Sequence, residues 1–377
     1  MSDAGAPPRK PGAPIPLTVL TGFLGAGKTT LLNRLLKDPA LADTAVIINE
    51  FGEIGLDHLL VEHIEDGVML LSTGCLCCTL RGDLVETLEK LLRGLDNGRM
   101  SFRRVIIETT GLADPAPVLH TAMMHPYLTL RFRLDGIVTL VDAVNGSSTL
   151  GAHVEALKQV AVADRIVLTK TDLIDTPERE ATLAALRTRL AALNPAAPVL
   201  DAAAGEASAA RLTDCGLYDA ARKIPDVTRW LADEAYADAH DHHHHDVNRH
   251  DDRIRAFSLA SDKAISMATF EMFLDLVRSM HGPNLLRVKG IVKIAETPDT
   301  PMVIHGVQHV FHPPVTLSAW PDADQRTRLV FIVSETDPRT IEGLFNAFLG
   351  TVQVDKPDSA ALADNPLVPF GGADHTR

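Results

Sequence analysis

Residues 22–29 read Gly22-Phe23-Leu24-Gly25-Ala26-Gly27-Lys28-Thr29, an unbroken GxxxxGK[ST] pattern. An apolar, β-branched run at 15–20 precedes it and a helical stretch at 29–36 follows, the strand–turn–helix context such a loop requires. Its glycines let successive backbone N–H groups converge on phosphate oxygens, and the helix N-terminus adds partial positive charge. Lys28 is placed to reach β- and γ-phosphates, and the Thr29 hydroxyl to complete a Mg²⁺ shell. The expected phosphate cradle is Gly22, Gly25, Ala26, Gly27, Lys28, Thr29 and Thr30. An ordinary Gly-rich turn would leave Lys28 and Thr29 without purpose. The spacing is not GxGxxG, which disfavours a dinucleotide fold.

Around this loop, continuous apolar runs predict strands at 15–20, 45–48, 105–107, 136–141 and 165–168, with 198–200 as a candidate sixth. Helical stretches fall at 83–92, 153–160 and 178–193. Strands alternating with helices predict an α/β class, a P-loop NTPase domain whose mostly parallel sheet is covered on both faces. The length of 377 residues argues for a second domain. The pattern changes near Asp226, and 238–252 is almost entirely His, Asp and Ala, a composition that cannot bury a core. Beyond it, strands are expected at 253–259, 285–295, 302–311 and 328–334, and helices at 267–279 and 341–348, a smaller α+β domain. The expected organisation is a tail at 1–14, the P-loop domain at 15–225, a His-rich linker at 226–252, the C-terminal domain at 253–350 and a flexible tail at 351–377.

The net charge of −13 argues against a nucleic-acid surface. No apolar stretch is long enough to span a membrane, and the N-terminus lacks the apolar core of a secretory signal. A cytoplasmic protein is expected, with a homo-oligomer left open.

Two further segments belong to a nucleotide site. The third strand runs into Glu108-Thr109-Thr110-Gly111. Glu108, acidic at the carboxyl end of a strand, takes the position of a second metal-shell residue, and Gly111 the place where a backbone N–H senses a γ-phosphate. The fifth strand runs into Thr169-Lys170-Thr171-Asp172. The Asp172 carboxylate can accept hydrogen bonds from guanine N1–H and its exocyclic amine, a pair adenine does not offer. Lys170 would lie against the base or support the loop. Catalysis is expected to involve Lys28, Thr29 and Glu108.

Three of the four cysteines, Cys75, Cys77 and Cys78, fall within four residues, apart from Cys215. Bunching of this kind favours reduced, metal-binding thiols over a disulfide framework. On an extended segment Cys75 and Cys77 face one way and Cys78 the other, a partial soft-ligand set that leaves room for an outside ligand. Glu50, in the acidic stretch 49–57, is the candidate fourth ligand, or belongs to the Mg²⁺ shell. The histidines at 242–245, with His240 and His250, read as a weak, flexible metal collector. His305, His309 and His312 read as surface or interface residues of a sheet.

These motifs together resemble the CobW family of P-loop GTPases, metallochaperone relatives of the urease and hydrogenase accessory GTPases. The resemblance rests on TGFLGAGKTT at 21–30, NEFGEIGLD at 49–57, GCLCC at 74–78, ETTGLADP at 108–115 and LTKTDL at 168–173. In the second domain it rests on LRVKGIVKIAE at 286–296 and IHGVQHVF at 304–311. It implies GTP hydrolysis to GDP and phosphate, with Lys28 and Thr29 on phosphate and Mg²⁺, Lys170 and Asp172 on guanine, and Cys75, Cys77 and Cys78 on a cargo metal bound for a client metalloprotein. Thr169 stands where many GTPases carry Asn, so the usual amide contact is expected to be lost.

Zinc is the expected cargo, since thiolate and imidazole sites hold it more tightly than cobalt. Delivery of cobalt, for cobalamin synthesis or nitrile hydratase, is the alternative. Two readings of another class are an ATP-dependent small-molecule kinase, against which Asp172 and the cysteines speak, and a passive metal store built on the His run.

Overall fold

The computed structural model describes residues 13–49, 61–64, 68–73, 82–213, 253–308, 310–311 and 314–350. Two sheets organise them. In the first, β1 (Ile15–Gly22) leads through the loop into α1 (Lys28–Leu35), then β2 (Thr44–Asn49), the hairpin strands β3 (Val61–Ile64) and β4 (Val68–Thr73), α2 (Gly82–Asp96) and β5 (Arg104–Glu108). Next come α3 (Ala116–Met124), α4 (Pro126–Arg131), β6 (Phe132–Asp142), α5 (Gly146–Ala152), α6 (Val154–Ala161), β7 (Arg165–Thr169), α7 (Pro177–Leu193), β8 (Val199–Asp201) and α8 (Ala209–Leu212). The strand order is β3-β4-β2-β5-β1-β6-β7-β8, parallel except for the antiparallel β3–β4 pair.

Period-two alternation sorts these strands onto two apolar layers. Leu17, Val19, Ile47, Val105, Ile107 and Ile166 meet the layer containing α2, α3, α6 and α7. Leu20, Val46, Ile106, Val138 and Val167 meet α1 and α8 on the opposite face.

The second sheet is antiparallel: β9 (Ile254–Ser261), β10 (Leu285–Val292), β11 (Met302–Val307), β12 (Val310–Phe311), β13 (Val315–Thr316) and β14 (Thr327–Ser334), in the order β12-β11-β10-β14-β9 with β13 on β11. Helices α9 (Met267–His281) and α10 (Pro338–Phe348) cover one face. Phe270, Phe273, Val277, Ile341 and Phe345 pack there against Val288, Phe331 and Val333. The other face lies on the nucleotide domain, where Ile254, Leu286, Val307 and Ile332 join the α2/α3/α6/α7 layer. All eight residues of β10 are therefore buried.

Two of those eight are cations. Arg287 pairs with the fully buried Asp164 and also donates to the Val162 carbonyl, while Lys289 Nζ lies 3.2 Å from Asp164 Oδ1. Asp164 Oδ2 accepts from Ile137 N at 3.0 Å. Burial disfavours the ionised carboxylate, but the Arg287 and Lys289 charges outweigh it and hold Asp164 well below the usual carboxylate range. Burial pushes Lys289 down to about 8 against the opposing pull of Asp164.

The sequence-based strand at 302–311 is two strands, because Gln308 takes a left-handed φ of 53° and turns the chain. The strand expected to reach 295 ends at Val292. The β3–β4 hairpin and the helices α3, α4 and α5 were not anticipated. His305 is a buried interface residue near Asp164; His309 and His312 lie outside the described residues, as do 1–12, the linker 226–252 and the tail after 350. Among the described residues no helix is long and apolar enough to cross a membrane.

Candidate functional site

The C-terminal ends of β4, β2, β5 and β1 line up along one edge of the first sheet. Gly22 closes β1 with a φ of +143°, and a Cβ there would lie 2.5 Å from the Leu140 carbonyl oxygen, so only glycine fits. Gly27 caps α1 in a left-handed conformation, and the first turn of α1 carries no acidic residue to compete with an anion. Gly25, Gly27, Lys28, Thr29 and Thr30 line a cavity of about 440 Å³ together with Leu24, Glu108, Thr109, Thr110 and Gly111. Lys28 Nζ donates to the Gly22 and Phe23 carbonyls at 2.9 and 3.3 Å, so it folds over the loop that a phosphate would occupy.

Across the cavity, Thr29 Oγ1 donates to Glu108 Oε1 at 2.9 Å. Thr109 ties the end of β5 to β1, donating from its hydroxyl to Thr21 Oγ1 at 2.8 Å and from its N–H to the Leu20 carbonyl at 2.9 Å. The buried Thr110 hydroxyl has no hydrogen-bond partner among the described residues. The Thr29 hydroxyl and the Glu108 carboxylate, paired in the wall of one cavity, suit a hard cation such as Mg²⁺, with its waters, beside a phosphate.

A second crevice, of about 240 Å³, opens behind the loop between Phe23–Ala26 and the residues Asp142, Asn145, Gln159 and Lys170. Here Lys170 Nζ pairs with Asp142 Oδ2 at 2.7 Å, on the wall of the crevice that faces the loop. Partial burial of Asp142 disfavours its charge, yet hydrogen bonds from Lys170, Asn145 and the Val144 N–H hold the carboxyl below its ordinary range. The Thr169 hydroxyl donates to the Ala26 carbonyl at 2.8 Å, so threonine supplies its own tie to the loop where the amide was expected to be missed. Asp172 sits exposed in a 3-10 turn, Thr171–Leu173, just past the end of β7, and lines neither cavity. Asp142 escaped sequence reasoning, although an acidic residue closing a buried strand is the same signal that singled out Glu108.

Cys75, Cys77, Cys78 and Glu50 lie outside the described residues. Their points of departure are described: Asn49 and Thr73 are register partners at the ends of β2 and β4, and Ile48 is paired with Glu108. Among the described residues no group of three or more His, Cys, Asp or Glu is arranged to hold a metal.

Comparison with known proteins places this geometry. Residues 16–201 match the family CobW/HypB/UreG, nucleotide-binding domain, and residues 254–349 match the Cobalamin synthesis protein cobW C-terminal domain. The Zinc chaperone YjiA of Escherichia coli (strain K12) is 32% identical over 332 residues, covering 88% of this chain and 98% of that protein. The Zinc-regulated GTPase metalloprotein activator 1 of Schizosaccharomyces pombe is 41% identical over 169 residues, 43% of this chain and 40% of that one. The crystal structure of Zn(II)-bound YjiA GTPase from E. coli superposes with a TM-score of 0.63 at 29% identity, covering 89% of this chain and 99% of that chain. The chain belongs to the CobW family, joining a CobW/HypB/UreG nucleotide-binding domain to a CobW C-terminal domain.

Proposed function

We propose that this protein is a GTP-hydrolysing metallochaperone that holds zinc at Cys75, Cys77 and Cys78, with Glu50 as a further ligand, and hands it to a client protein. The observation that carries the reading is the register at the sheet edge. The chain leaves Asn49 directly into Glu50 and leaves Thr73 directly into the GCLCC segment, from parallel strands about 4.8 Å apart. The next strand along ends in Glu108, and the one after that in the phosphate loop. The segments that carry the proposed metal ligands thus start from the same sheet edge as the phosphate loop. The names of the zinc chaperone relatives support the choice of metal.

The phosphates of GTP fit the cavity between the loop and Glu108–Gly111. Lys28 exchanges its two carbonyl partners for β- and γ-phosphate oxygens, and the amides at the start of α1 bind the remaining charge. Thr29 and Glu108 would hold Mg²⁺, whose positive charge would offset the negative charge on the phosphate oxygens. Gly111 senses the γ-phosphate. Asp172 accepts from guanine, while Thr169 ties the loop from behind and Lys170 stays paired with Asp142. With γ-phosphate present, the segments leaving β2 and β5 are drawn toward the cavity and the ligand set closes; after hydrolysis they relax and the metal passes on. No described arginine reaches into the cavity, so unaided turnover is expected to be slow.

Two variants of the full-length protein test the site by zinc titration against a competing chelator. Replacing Cys75, Cys77 and Cys78 together with serine is expected to abolish tight binding. Deleting 238–252 is expected to leave it intact and remove only weaker sites. The opposite outcome would favour a passive store on the His run.

A further inference from the structure

Helix α6 carries a residue that the nucleotide reading leaves unused. Gln159 is 1% exposed, and its Nε2 donates to the backbone carbonyls of Gly111 at 3.2 Å and Ala113 at 3.0 Å. Both N–H bonds of one carboxamide are thus spent on the loop that follows β5. That loop is pressed against the phosphate loop: a Cβ on Gly111 would lie 2.6 Å from Leu24 N. Peptide units are planar, so holding the two carbonyls fixes the orientation of the peptides 111–112 and 113–114, which flank the Leu112–Ala113 peptide.

The same loop is gripped from the second domain. Asp114 Oδ2 lies 3.6 Å from Lys158 Nζ of α6, and accepts from Gln308 Nε2, at the β11–β12 turn, at 3.4 Å. Its Oδ1 accepts from Ala116 N at 3.0 Å and starts α3. Just past α6, the Val162 carbonyl and Asp164 are held by Arg287 and Lys289. Loop 110–114 therefore has one anchor through α6 and one directly on the C-terminal sheet.

We propose that Gln159 is a positioning residue for GTP turnover, and that Gln308 makes the C-terminal domain part of the same γ-phosphate-sensing assembly. The inference rests on the GTPase reading above. Without the Gln159 amide, one buried and one partly buried carbonyl lose their donor and the loop samples other orientations. Contacts to the γ-phosphate are then made less often, whereas GDP, which has no γ-phosphate, is bound as before.

The test uses the full-length chain with Gln159→Met, which keeps length and apolar bulk but has no donor. Gln308→Asn is made beside it, keeping an amide and tolerance of the left-handed backbone but falling one methylene short of Asp114. Phosphate release, melting temperature and affinities for GDP and a non-hydrolysable GTP analogue with Mg²⁺ are measured. Gln159→Met is expected to lower kcat and analogue affinity about tenfold, with GDP affinity changed by less than about twofold. Gln308→Asn is expected to move the same quantities by about threefold. A folded Gln159→Met protein with wild-type kcat and analogue-to-GDP affinity ratio would overturn the positioning role; so would equal losses for both nucleotides, which report general damage. A wild-type ratio in Gln308→Asn overturns the two-domain assembly, and decides alone if Gln159→Met does not fold. Wild-type protein that binds no guanine nucleotide would sink the GTPase reading itself, a result visible before any variant is compared.

Discussion

Thr29 and Glu108 meet at 2.9 Å although they stand 79 positions apart in the sequence. The first stands in the opening turn of α1 and the second closes β5, so pairing of β1 with β5 brings them together. Glutamate here has one more methylene than aspartate and reaches the hydroxyl directly.

Glu108→Gln keeps the size and a hydrogen-bonding carbonyl but removes the charge that faces the cavity. It is expected to cut GTP turnover by about a hundredfold or more, while zinc binding in GDP changes little. Phosphate release at saturating GTP and Mg²⁺ measures this; wild-type turnover would remove Glu108 from the reaction.

Asp172→Asn should change the base that is preferred. The carboxylate accepts from both guanine N–H groups, and charged hydrogen bonds contribute about 1.5–3 kcal/mol each. An amide there offers a donor in place of one acceptor, which suits xanthine, whose exocyclic group is a carbonyl. GTP affinity is expected to fall tenfold or more, by about 1.4 kcal/mol at least, while xanthosine triphosphate gains. Competition against a fluorescent nucleotide reads both; unchanged preference would place the base elsewhere.

The interdomain pairing of Asp164 with Arg287 and Lys289 predicts a pH signature. The Asp164 carboxyl is held below its unfolded value, so the native state binds fewer protons than the unfolded state. Its contribution is present in full above about pH 5 and is lost as pH falls through and below about 4. Asp164→Asn leaves two buried cations without their counter-charge, which costs about 3–5 kcal/mol at neutral pH. Urea unfolding of both proteins at pH 7 and at pH ~3 should show the gap narrowing as pH falls below about 4. A gap that stays constant would mean that the carboxylate charge contributes nothing.

Local signals made the nucleotide half readable. Its strands are continuous apolar runs, and the phosphate loop, Glu108 and Asp172 each follow a strand end. The helix Ala116–Met124 escaped; Pro117 stands in its first turn, where proline lacks only an N–H that needs no partner. The β3–β4 hairpin escaped because β3 has only four residues. In β10 the charges of Arg287 and Lys289 look like one solvated face until a second domain covers it. Thr169 on Ala26, Lys170 on Asp142 and Gln159 on Gly111 join positions 143, 28 and 48 apart; each depends on chain pairing that no local pattern encodes.

Zinc affinity measured by chelator competition, once with a GTP analogue and once with GDP, both with Mg²⁺, tests the central claim most directly. The account predicts tighter binding with the analogue by about 5–150-fold, a coupling of about 1–3 kcal/mol, and loss of that difference when Cys75, Cys77 and Cys78 are replaced by serine. Equal affinities in the two nucleotide states, or a difference that survives removal of the three thiols, would contradict it.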